Sequence, residues 1–165
     1  MKDISQKSED TGEVSAYILA EKAALRLIAR AEQCSNGLAR KLEKRGHEAA
    51  CVNAVLSRLS ELKLIDDRRF ARLWLESRLR LTRSPRRLLA ALCGRGIDKD
   101  DAQASLLSVL DEETESAMLE RFVKKYSRKI AGKGEDGARS FSRELKYLLR
   151  NEGFSGWAIE RYFET

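Results

Sequence analysis

One spacing recurs three times in this 165-residue chain: a leucine, a second leucine four residues later, and a glycine four residues after that. It stands as Leu38, Leu42, Gly46, then Leu88, Leu92, Gly96, then Leu145, Leu149, Gly153, with the copies 50 and then 57 residues apart. The register runs on past each glycine, to Val52, Ala102 and Ile159 six positions later and to Leu56, Leu106 and Phe163 ten positions later. Five matched positions in three copies make an internal repeat, and a repeat decides the fold before any local preference does.

Leucines four apart share one face of a helix. A glycine four residues further on suits the left-handed position that closes a helix. Basic residues in that last turn (Lys44 and Arg45 in the first copy, Arg95 in the second) complement the helix dipole. A short turn follows, carrying Ile97 and Phe154 in the second and third copies, and then a helix-capping position held by Glu48, Asp98 and Ser155. Each copy is preceded by another amphipathic helix: Ala24, Leu25, Leu27, Ile28, Ala31 in the first, Phe70, Leu73, Trp74, Leu79 in the second, and Leu119, Phe122, Val123, Tyr126 in the third. Ser35 and Ser84 are candidate caps of the middle helices, and Pro85 sits where a first-turn proline is welcome.

Each unit therefore reads as helix, helix, turn, helix. Units this small bury little apolar surface alone, so neighbours are expected to stack. The expected fold is all-α, an elongated curved array of three tandem three-helix (helix-turn-helix-like) repeats. The repeats span 16–62, 63–110 and 111–165, after a polar, frayed segment at 1–15. An aspartate of the Asp66-Asp67 pair is expected to cap the helix entering Phe70, and Asp111-Glu112-Glu113 to open another. Residues 129–140, with three glycines, read as a long loop.

Charge is where composition enters. The formal balance is +6, yet residues 63–99 alone carry eleven basic side chains against four acidic ones, leaving the rest of the chain near −1. A basic middle is the electrostatic footprint of a polyanionic partner. The candidates are Arg68, Arg69 and Arg72 at the start of the second repeat's first helix, Arg78, Arg80 and Arg83 toward its end, and Arg86 and Arg87 opening the next. Lys41, Lys44 and Arg45 form a second patch. Arginine presents a forked donor that matches both phosphates and carboxylates. Arg30 and Arg78 close the first helices of their units and are read as ties to helix-end carbonyls, and Trp74 and Trp157 as core.

Other chemistries find no footing. No apolar stretch approaches the ~20 residues that a membrane-spanning helix needs. Cys34, Cys51 and Cys93 are odd in number and lack metal-ligand spacing, so they read as small hydrophobes in a reducing cytoplasm. His47 is the only histidine and follows a helix-ending glycine. Gly132-Lys133-Gly134-Glu135-Asp136-Gly137 matches GxGxxG in letters, but no strand precedes it, so a dinucleotide site has no scaffold. The chain is expected to be a binding protein without catalysis, metal or cofactor.

The run Leu64-Ile65-Asp66-Asp67-Arg68-Arg69-Phe70-Ala71 resembles the most distinctive motif of the RecX family. Arg30 with Ser35, the segment Ser84 to Ile97, and the C-terminal run Leu148 to Ile159 resemble that family too, so the likeness covers about residues 16–164. Ser84 stands where the family usually has glycine. The resemblance implies three tandem three-helix units and a cytoplasmic modulator of the RecA recombinase, with roles in recombination, DNA repair and the SOS response; a monomer is expected. It implies binding to RecA and to the groove of the RecA–single-stranded-DNA filament, with some direct DNA contact. It also implies inhibition of DNA-dependent ATP hydrolysis, strand exchange and co-protease activity. A DNA-binding protein of helix-turn-helix type is the alternative that the paired helices allow.

Overall fold

The three repeat glycines take the left-handed backbone that their place in the pattern predicts, with φ of 87° at Gly46, 86° at Gly96 and 85° at Gly153. The structure, a computed structural model, describes the backbone of residues 3–81, 83–130 and 137–164 and the side chains of 13–81, 83–126 and 141–164. The described residues form nine helices and no strand. In chain order these are α1 (Asp3–Ile28), α2 (Ser35–Glu43), α3 (Ala49–Glu61), α4 (Asp67–Arg78), α5 (Pro85–Cys93), α6 (Lys99–Val109), α7 (Glu112–Ile130), α8 (Gly137–Asn151) and α9 (Gly156–Glu164). The repeated leucine pairs lie on α2, α5 and α8, and all six leucines are buried. The all-α repeat architecture is thus as the spacing implies. By compactness two units are distinguished, Met1–Phe70 with Arg95–Ile97, and Ala71–Gly94 with Asp98–Thr165.

In the first unit α1 packs on both α2 and α3. Ala20, Ala24, Leu38, Leu42, Val52, Val55, Leu59 and Ile65 make the buried core, flanked by half-buried Tyr17, Leu27 and Ile28. Leu25, expected on this face, is 43% exposed. It follows Ala24 by one residue, which is ~100° around a helix. The segment read as frayed also differs, because α1 begins at Asp3. Polarity argues against a buried face and not against a helix, and the first described buried residue of α1 is Ala20.

Helix starts explain several polar residues. Ser35 does not cap α2 with its own hydroxyl; its backbone N–H donates to Asp67 Oδ1 at 2.7 Å, so the acceptor comes from 32 residues away. Glu48 holds the cap position of α3 without a side-chain hydrogen bond. Asp66 caps α4, accepting from the Arg69 N–H at 3.0 Å. That hydrogen bond, helped by the Arg68 N–H and by the charges of Arg69 and Lys63, holds the Asp66 carboxyl below its ordinary 3.8 despite the opposing effect of burial.

A depressed folded pKa contributes stability that is present above the unfolded value and is lost as pH falls through the folded one. Asn is as good a cap as Asp but carries no charge. Asp66→Asn is therefore expected to leave stability at pH 7 within about 1 kcal/mol of the parent and to make its decline below pH 4 shallower. Urea midpoints at pH 7 and pH 3 check this; an equally steep decline would place the acid sensitivity in other carboxylates.

In the second unit α5 packs on α6, and α9 packs on α7 and α8. The buried face of α4 and its exit is Ala71, Leu75 and Leu79, whereas Leu73 is 45% exposed and Phe70 and Trp74 are half-buried. A four-residue spacing through a small alanine outweighs the larger side chains that the sequence reading favoured. The other caps fall where expected: Ser84 Oγ accepts from the Arg87 N–H, Asp98 Oδ1 from Asp100, Ser155 Oγ from Ala158, and Asp111 Oδ1 from Thr114.

The tie to the end of α4, expected of Arg78, is made instead by Arg121 of α7, whose Nη2 donates to the Leu79 carbonyl at 2.9 Å. Arg78 lies over the Trp74 ring, 5.7 Å from its centroid. Arg30 is exposed and its side chain ties no carbonyl among the described residues. Of the expected 129–140 loop, the ends belong to α7 and α8, while residues 131–136, with most of the GxGxxG match, lie outside the described residues. No described helix is long and apolar enough to cross a membrane.

Candidate functional site

The eleven candidate basic residues separate into two kinds once their surroundings are seen. Some are committed to the fold. In the first unit Arg69 donates through Nε to Glu32 at 2.7 Å, and through Nη1 and Nη2 to the Lys63 and Leu64 carbonyls at 3.3 Å each. It thereby ties the start of α4 to the carbonyls that follow α3. Lys41 Nζ donates to Gln33 Oε1 at 2.6 Å.

In the second unit the hub is Glu152, a carboxylate only 8% exposed just after α8. It accepts from the Ser84 hydroxyl and pairs with Arg87 Nε at 3.4 Å. Its backbone carbonyl accepts the Arg86 N–H at 3.0 Å, and the Asn151 carbonyl accepts Arg86 Nη1 at 3.3 Å. The Arg87 guanidinium also lies 5.7 Å from the Tyr126 ring centroid. Arg86 and Arg87 thus join the start of α5 to the end of α8. With Arg78 placed over Trp74, three of the six second-unit candidates serve packing first.

The others face solvent. Arg72 on α4, and Arg80 and Arg83 in the connection to α5, are exposed and make no side-chain ion pair or hydrogen bond among the described residues. The same holds for Lys44 and Arg45, just after α2 in the first unit. Arg68 is exposed in the first turn of α4. The solvated guanidiniums of Arg72, Arg80, Arg83 and Arg45 can engage phosphate or carboxylate without first breaking an internal bond, so the cost of recruiting them is low. Sequence position alone cannot make this distinction, because Arg83 and Arg87 look equivalent until Glu152, 65 residues beyond Arg87, is placed beside one of them.

Sequence reasoning missed the acceptors at helix starts. Glu115, 5% exposed, accepts both the backbone N–H and the hydroxyl of Ser155, at 2.7 Å and 2.9 Å. Asp67 accepts the backbone N–H of Ser35, and Glu152 accepts the hydroxyl of Ser84. A serine before a helix is the visible signal; its carboxylate lies far along the chain and leaves no local mark.

Trp157, read as core, is 37% exposed. It lines an open groove of the second unit, about 570 Å³, with Leu89, Leu107 and Leu110. Among the cysteines, Cys34 is buried, Cys51 half-buried and Cys93 exposed, so the hydrophobic reading holds best for the first. His47 sits in the turn after α2, its N–H donating to the Leu42 carbonyl. No three His, Cys, Asp or Glu side chains cluster to hold a metal among the described residues.

Comparison with known proteins agrees with the repeat. Family models described as the first and second three-helix domains of RecX match residues 20–59 and 66–106. The chain is similar to "Regulatory protein RecX" of Treponema pallidum (strain Nichols), 37% identical over 114 residues that cover 68% of this chain and 70% of that one. It is similar to the protein of the same name from Mycobacterium tuberculosis (strain ATCC 25618 / H37Rv), 35% identical over 133 residues, 79% of this chain and 75% of the relative. Two solved structures share the fold. One is RecX from Lactobacillus salivarius, with TM-score 0.69 and 19% identity over 92% of this chain and 96% of that one. The other is a regulatory protein RecX, with TM-score 0.81 and 17% identity over 98% and 78%.

Proposed function

The chain belongs to the RecX family, and from that premise we propose that it is a cytoplasmic regulator of the RecA recombinase, acting mainly by inhibition. It binds RecA and the groove of the RecA–single-stranded-DNA filament as a monomer. By doing so it suppresses DNA-dependent ATP hydrolysis, strand exchange and co-protease activity. It uses no catalysis of its own, in keeping with relatives that are named regulatory proteins.

The observation that carries this reading is the set Arg72, Arg80 and Arg83: three solvated guanidiniums within twelve residues, free of the internal partners that occupy Arg69, Arg86 and Arg87. A filament offers such a set both acidic side chains and DNA phosphates.

The test is steady-state ATP hydrolysis by RecA on single-stranded DNA, titrated with this protein at two DNA concentrations. Inhibition below one regulator per RecA protomer, unchanged by excess DNA, is expected. Inhibition that excess bare DNA relieves would replace this reading with that of a helix-turn-helix-type DNA-binding protein.

A further inference from the structure

The charge of the middle repeat conceals a second basic surface. Between Lys22 and Arg45 stand seven basic residues and two acidic ones. Three of the seven converge. Arg26 in the last turn of α1, Arg30 just beyond that helix, and Arg45 just beyond α2 line one pocket of about 280 Å³ together with Ala23 and Leu27. All three arginines are exposed, their side chains make no ion pair or hydrogen bond among the described residues, and no acidic residue lines the pocket. Helix C-termini favour nearby cations. That explains one guanidinium at the end of each helix, but not three sharing one concavity. Like charges brought together at a surface repel, and an anion between them removes the repulsion.

The charge density of the pocket selects among anions. A protein surface offers carboxylates one charge at a time. A nucleic-acid strand carries one charge every ~3.4 Å, with an apolar sugar edge beside each phosphate. The pocket is larger than a single phosphate group, and its Ala23 and Leu27 wall is suited to that sugar. We propose that Arg26, Arg30 and Arg45 bind the phosphodiester backbone of a DNA strand, giving the first repeat a nucleic-acid contact that does not involve Arg72, Arg80 or Arg83. The assignment rests on the filament-binding reading, in which a DNA strand is the available polyanion.

The experiment uses the full chain without RecA, so that failure here and failure of the RecA reading are separable. Binding of a fluorescein-labelled oligo(dT) is followed by anisotropy across a sodium chloride series, for the parent and for Arg26→Gln, Arg30→Gln and Arg45→Gln singly and together. The triple variant is expected to bind about tenfold more weakly at low salt. The slope of log K against log salt should become shallower by about 1–2, since each single-strand phosphate contact contributes ~0.7. Lysine at the same three positions should retain most of the slope. Unchanged affinity and slope in the glutamine variant overturn the assignment. A separate ATP-hydrolysis titration with RecA adds the second outcome: a variant that loses inhibition while its DNA titration is unaltered also overturns the assignment, because the pocket would then read carboxylates of the recombinase.

Discussion

A chain carrying Arg72→Glu, Arg80→Glu and Arg83→Glu together is expected to need at least about tenfold more protein to halve RecA ATP hydrolysis, while its urea midpoint stays where it was. Tenfold is ~1.4 kcal/mol. An exposed charge contact contributes ~0.2–1 kcal/mol, and reversal both removes it and installs a repulsion of similar size, so three positions reach that figure without assuming any unusual contact. The fold should not notice, because none of the three is engaged by another side chain among the described residues. The deficit should shrink as salt rises, since the screening length falls from ~10 Å at 0.1 M to ~3 Å at 1 M. Reversal at Arg86 and Arg87, the obvious choice from sequence, is the poorer probe. It places glutamate beside the buried Glu152 carboxylate, so lost inhibition would follow from disruption of the α5–α8 junction. Equal inhibition by the parent and the Arg72, Arg80, Arg83 variant would remove this segment from the binding surface.

The fold was legible because repetition multiplies a weak signal. One leucine pair with a glycine is ordinary; three in register fix where each glycine bends the chain, and the φ values at Gly46, Gly96 and Gly153 agree to within 2°. Local capping was legible for the same reason that it is local, as at Asp98, Asp111 and Ser155. Two things were not. The buried face of α4 runs through Ala71, whose small side chain gives a hydrophobicity count little to register, while Leu73 and Trp74 are larger and lie further out. The sorting of arginines into structural and solvated ones depends on Glu32 and Glu152, which only tertiary structure brings to Arg69 and Arg87. The arginine pocket of the first repeat was missed for a third reason. Arg30 reads as a helix-end residue, Arg45 as part of another patch and Arg26 carries no mark of its own, because a concavity between helix ends has no signature along the chain.

Phe122→Ala is expected to be the most damaging single substitution for stability, costing about 3–5 kcal/mol and lowering the melting temperature by roughly 6–20 °C. Phe122 is 1% exposed and is the largest of the fully buried side chains. Its ring stacks on Tyr126 with centroids 4.3 Å apart and meets Phe154 edge-on at 5.4 Å. Truncation therefore leaves a cavity and also dissolves two ring pairs that contribute ~0.5–1.5 kcal/mol each beyond burial. Phe122→Leu refills part of the volume without the rings and should fall between the parent and alanine. Tyr126→Ala, at a half-buried position, should cost less than Phe122→Ala. Urea unfolding of the three variants checks the order, and a loss below about 1 kcal/mol for Phe122→Ala would mean that the third repeat collapses to fill the space. The same substitution is the counterpart to the charge reversal. Phe122→Ala removes packing and no charge, so at a temperature where the protein is still folded its inhibition of RecA should match the parent, whereas the arginine variant should keep its roughly tenfold deficit at every temperature. A protein in which both substitutions abolished inhibition while fully folded would bind through the third repeat's core geometry and not through solvated charge.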